Sequence, residues 1–175
     1  SDENGICDYT AGDINYDGSI TIADIVLIGS YILYDTSIND YQTLVADMTS
    51  DGIVDVLDLN TLLNYILGGG APYGSDATQA NVYKLNNSLY LTSDGVVAGY
   101  QATLSHTEDF TIESLPDFIV SDYNTLSDTS TIVLVVADPG SSYLDGYIVT
   151  TSDTFEVVDL LLVNNSGYVP YNLFQ

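Results

Sequence analysis

Two stretches of this chain repeat each other at an interval of 34 residues, and each sets a Gly-containing acidic loop ahead of an apolar run. The first, residues 12–33, reads GDINYDGSITIADIVLIGSYIL; the second, residues 46–67, reads ADMTSDGIVDVLDLNTLLNYIL. In the second copy Leu59, Leu62, Leu63 and Ile66 fall at helical spacing on one face. Gly68 to Gly70 then stop that helix. In the first copy Ile25, Val26, Leu27 and Ile28 cover more than one face, and Gly29 follows them. A two-helix domain this small cannot bury apolar residues on every side. The surplus either packs against the rest of the chain or forms a surface for a partner.

The loops carry the chemistry. A twelve-residue EF-type loop takes ligands from positions 1, 3, 5, 7, 9 and 12, and needs glycine at position 6 for its sharp turn. Residues 13–24 supply Asp13, Asn15, Asp17, Ser19, Thr21 and Asp24, with Gly18 at the turn. Residues 47–58 supply Asp47, Thr49, Asp51, Ile53, Asp55 and Asp58, with Gly52 at the turn. Ser19 and Ile53 stand at position 7, where the backbone carbonyl coordinates and the side chain is free to vary. Oxygen donors without histidine or cysteine select a hard cation, and the flexible shell suits calcium better than magnesium. Two Ca2+ ions are therefore expected. Aspartate at position 12, where an EF-hand has glutamate, requires the helix start to move inward.

These tandem loops resemble the dockerin module over residues 12–68. The resemblance implies two calcium-loop–helix units packed antiparallel with near two-fold symmetry, and a cohesin module as partner. It further implies that loop positions 10 and 11, here Ile22, Ala23, Val56 and Leu57, help select that partner together with the helix behind them. Where many family members place basic residues along this helix, the present chain has none.

Residues 68–78, GGGAPYGSDAT, read as a linker or tight boundary. Beyond them the pattern changes to short runs rich in β-branched and aromatic residues: VYKL, SLYLT, VVAGYQATL, DFIV, TIVLVVA, GYIVT, TFEVVDLLLV and YVPYNLF. Turn-formers separate them, and no helical run intervenes, which favours an antiparallel sandwich. Tyr100, Ala102 and Leu104 alternate with Gln101, Thr103 and Ser105, as in a strand covered on one face; residues 131–137 are apolar almost throughout and read as central. The stretch Gly95-Val96-Val97-Ala98-Gly99-Tyr100-Gln101-Ala102-Thr103-Leu104 is similar to the early strands of cohesin and related sandwiches. The expected fold class is α+β. A small all-α dockerin-like module occupies 1–70, a linker 71–78, and a cohesin-like β-sandwich 79–175.

Charge excludes other classes. Twenty-five acids stand against one lysine, Lys84, and no arginine, for a formal charge of −24. No basic patch exists to neutralise phosphates, so nucleic acid is not a partner, and no run of 18 apolar residues offers membrane insertion. No basic, apolar export signal opens the sequence, as expected if one has been removed or was never present. Cys7 is the sole cysteine, which rules out an internal disulfide. Two sequons offer N-glycan acceptors at Asn86 and Asn164. Enzyme chemistry is not expected: the sole histidine, His106, sits in a polar turn beside Glu108 and Asp109, and no nucleophile elbow accompanies it.

The sequence thus reads as an extracellular or cell-surface, calcium-dependent structural protein. Its partners would be other copies of itself, joined through dockerin-like and sandwich domains into a filament, with YVPYNLFQ as a donor strand. The alternatives are an adaptor docking to a separate cohesin-like protein, and a soluble calcium-binding protein.

Overall fold

The computed structural model describes residues 9–68, 74–140 and 143–175. Among these, three helices come first: α1 (Ile22–Tyr34), α2 (Asp40–Ala46) and α3 (Val56–Leu67). The strands follow as β1 (Ala80–Leu85), β2 (Ser88–Ser93), β3 (Gly99–His106), β4 (Ile112–Ser114), β5 (Val120–Ser127), β6 (Ser130–Val136), β7 (Gly146–Thr151), β8 (Phe155–Val163) and β9 (Tyr171–Phe174). The expected α+β class is the observed one. Cys7, Gly69, Gly70 and residues 71–73 of the expected linker lie outside the described residues.

Each helix begins on a reciprocal cap. Thr21 accepts from Ala23 N while Asp24 accepts from Thr21 N; Asp55 accepts from Leu57 N while Asp58 accepts from Asp55 N. Asn39 and Gln42 exchange the same pair of bonds at the start of α2. That short helix corrects the expectation of a two-helix module: it fills the connection between the repeats and contributes Val45 and Ala46 to the core.

Two sheets form the remainder, in the orders β4-β7-β2-β1-β9 and β5-β6-β3-β8. They share a core built from both: Val82, Leu89, Leu91 and Ile148 on one side, Tyr100, Leu104, Val133, Val135 and Leu162 on the other. The buried Tyr100 hydroxyl donates across it to the Ile148 carbonyl at 2.6 Å. The pairing is antiparallel except at one edge, where β9 runs parallel to β1. This departs from the all-antiparallel expectation, and it places residues 171–174 of the supposed donor strand in the chain's own sheet. The short strand β4 had no counterpart in the sequence reading. The run DFIV proved to be only the entrance to β5, which continues through the polar residues SDYNTLS.

Strand β6 explains the seating of the helices. Val133 and Val135 point into the sandwich, whereas Ile132, Leu134 and Val136 belong to a second apolar cluster with Ile28, Leu59, Leu62 and Leu63. Residues 131–137 are apolar on both faces because both faces are covered. The surplus on α1 divides accordingly: Ile25 and Ile28 are buried, while Ile22 and Val26 remain 51% and 61% exposed. The boundary segment is also tied in. Val96 N donates to Ser75 O and Ala77 N to Val96 O, so residues 75–77 run along the sandwich.

Candidate metal centre

Both loops adopt the turn that their glycines demand. Gly18 and Gly52 have φ of +84° and +88°, left-handed values that a side chain would strain. Their N–H groups donate to position 1 of their own loops, Asp13 Oδ2 at 3.0 Å and Asp47 Oδ2 at 2.9 Å. At position 5, Asp17 Oδ1 accepts from Ser19 N and Asp51 Oδ1 from Ile53 N. Ile53 is 60% exposed, its side chain turned to solvent as a position using only its carbonyl allows.

Position 12 closes each loop. Asp24 Oδ1 accepts from Ile14 N at 2.9 Å and Asn15 N at 3.2 Å. Asp58 Oδ1 accepts from Thr49 N at 3.0 Å and Thr49 Oγ1 at 3.1 Å. Since Oδ2 of each also caps its helix, one aspartate fastens the loop's start to its end. The shorter side chain therefore serves as helix cap and loop clasp together.

Several of these carboxylates are buried. Asp24 and Asp58 are fully buried and Asp55 nearly so. Burial pushes the Asp58 carboxyl up to about 6, against the hydrogen bonds from Asp55 N and Thr49 that favour its charge. Burial likewise raises Asp55. The chain's one lysine is spent elsewhere, 3.9 Å from Glu156. Asp13 Oδ1, at position 1, is buried and has no hydrogen-bond partner. An orphaned carboxylate oxygen costs free energy unless something positive meets it. Among the described residues no three His, Cys, Asp or Glu side chains are gathered into a metal-holding cluster. The oxygen-only donor set and the orphaned Asp13 oxygen nevertheless fit a calcium ion.

The loops differ in their surroundings. In the second, Val56 and Leu57 are buried and Val56 N donates to Gln101 Oε1 of β3; in the first, Ile22 and Ala23 stay exposed. Tyr168, from the β8–β9 connection, donates its hydroxyl to Asp55 Oδ2 at 2.7 Å and lies 3.2 Å from Asp51 Oδ2. Burial first, and then Asp55 and Asp51, raise this phenol, so it remains a donor. Sequence reasoning missed Tyr168 and Gln101, since nothing local marks contacts that span 113 and 45 positions.

Other candidates settle simply. His106 is half-buried: it stacks on Phe110 at 3.9 Å, and its Nε2 meets Thr131 Oγ1 at 2.9 Å. Asn86 is exposed in the β1–β2 turn. Asn164 is 6% exposed, and its amide donates to Ala77 O while its carbonyl accepts from Ser166 N and Gly167 N. The expected acceptor nitrogen there is thus held in a buried hydrogen bond, unlike that of Asn86.

Residues 11–67 match the family model of the dockerin type I domain, a stretch containing both loops and all three helices. The chain is also similar to a chain from the crystal structure of the sixth cohesin of Acetivibrio cellulolyticus scaffoldin B in complex with a doubly substituted Cel5 dockerin. That similarity has 11% identity and a TM-score of 0.35, covering 57% of this chain and 94% of the other. No curated protein matches the chain.

Proposed function

We propose that this chain is an extracellular or cell-surface structural protein that assembles in the presence of calcium. Its docking element is the module at 1–70, and a cohesin-like sandwich at 79–175 is its counterpart. The dockerin match over the paired loop–helix repeats carries this reading. Two calcium ions would be held by the ligand positions of the two loops, Asp13 to Asp24 and Asp47 to Asp58. Bound there, they would neutralise carboxylates that no protein cation reaches. Loops of this kind in extracellular modules fill at the calcium concentrations found outside cells.

Self-association is supported by complementarity within the chain. The module already seats on the outer face of β5-β6-β3-β8 through Ile132, Leu134, Val136 and Val163. Released from that seat and exchanged between copies, the same surfaces make a heterologous contact that grows into a filament unless it closes into a ring. At −24 per chain, such growth needs charge neutralised by calcium or screened by salt. A second reading, docking to a separate cohesin-like receptor, is favoured by the exposure of Ile22 and Val26 beside the first loop.

Negative-stain microscopy and sedimentation velocity, in millimolar calcium and in excess chelator, separate the two. Fibres or large species present in calcium and lost on chelation are expected. Single chains at high concentration in calcium would contradict self-assembly and leave the adaptor reading.

A further inference from the structure

The two calcium loops repeat each other in sequence but not in their attachment to the sandwich. In the first, the bonds at positions 5 and 9 stay local: Asn15 Nδ2 donates to Asp17, and Ala23 N to Thr21. In the second, the same positions are Asp51 and Asp55, and both face the hydroxyl of Tyr168.

That hydroxyl is firmly presented. Asn164 organises the turn before it, accepting from Ser166 N and Gly167 N at 2.8 Å each, and anchors the turn to Ala77 O. Asp76 holds the same turn through Asn165 N and Nδ2, and through the Ser166 hydroxyl. Helix α3 is pinned alongside by Asn60 Nδ2 to Asn164 O at 3.1 Å and Asn64 Nδ2 to Asn165 Oδ1 at 3.2 Å. A single phenolic hydrogen shared between two carboxylates holds both toward one hydroxyl and fixes where their oxygens lie. Groups that hydrogen-bond to metal ligands fix their orientation in this way.

We propose that Tyr168 is a positioning residue for the second calcium site, which is therefore complete only when the helical module is seated on its own sandwich. The inference rests on the calcium reading above. Linkage makes the effect reciprocal: calcium in the second loop strengthens the seating as much as seating strengthens that calcium. The first loop fills independently.

The test compares the full chain with its Tyr168→Phe variant, which keeps the ring and removes the hydroxyl. Calcium is titrated against a chromophoric chelator to resolve both dissociation constants. One site should weaken by about 10- to 100-fold, while the other stays within about twofold. Terbium luminescence gives an independent signature, since tyrosine sensitises the ion and the chain has no tryptophan. The variant should lose the emission from one site and keep the other. An Asn60→Ala variant, which loosens the seating without touching the loop, should weaken the same site more mildly. Equal weakening at both sites, or none in either variant, overturns the inference alone. Wild-type protein that binds no calcium overturns it together with the reading on which it rests.

Discussion

Removing calcium should unfold the three helices while the sandwich keeps its sheet signal, and should uncover the apolar outer face of β6. Seven carboxylates occupy ligand positions, three in the first loop and four in the second. Asp24, Asp55 and Asp58 are buried, and a buried charge that loses its partner costs about 3–5 kcal/mol. A module of three short helices has little stability from which to meet that cost. The sandwich has its own core between the sheets and does not depend on the loops. Far-ultraviolet circular dichroism in excess chelator should lose helical signal, and a dye reporting exposed apolar surface should brighten as Ile132, Leu134 and Val136 are uncovered. Acid should partly replace the ion. Asp58 has a folded pKa of about 6, above its unfolded value of 3.8, so its contribution is full below the unfolded value and is lost as pH rises through 6. The chelated protein should therefore melt higher at pH 5 than at pH 7.5. Helical signal unchanged by chelator at pH 7.5 would count against this account.

An aspartate in place of Leu134 should detach the module without unfolding the sandwich. Leu134 is fully buried, yet its side chain lies among helical residues on the outer face of β6, not in the core between the sheets. An unpaired carboxylate there costs more than about 4 kcal/mol, enough to outweigh the seating of a small module. A compact chain of this length has a radius of gyration of about 16 Å. Small-angle scattering of Leu134→Asp in calcium should show clear expansion, with the sheet signal and two-ion stoichiometry retained and the second site weakened. Unaltered scattering would mean that this contact does not hold the halves together.

What the sequence made legible was the local chemistry. The loop turns, their glycines and the two principal helices depend on spacing within a dozen residues. The apolar run of β6 also announced its central place, though not that helices cover one of its faces. Helix α2 was missed although Asn39 and Gln42 form its cap, because seven residues offer little periodicity. Strand β5 was misread for a related reason: an edge strand held by backbone pairing to β6 leaves SDYNTLS mostly exposed, with no alternation to read. The parallel pairing of β9 with β1 and the reach of Tyr168 to Asp55 are non-local, the latter spanning 113 positions. Repeats with the same loop spacing suggested equivalent sites, and tertiary packing sets them apart.

Titrating calcium into the chelator-stripped chain of residues 1–175 by calorimetry tests the central claim most directly. Two ions per chain are predicted, bound at the ligand positions of residues 13–24 and 47–58. A Asp24→Ala variant should retain only the second site, and a Asp58→Ala variant only the first. A wild-type stoichiometry of zero, or binding unaffected by both substitutions, would contradict the account.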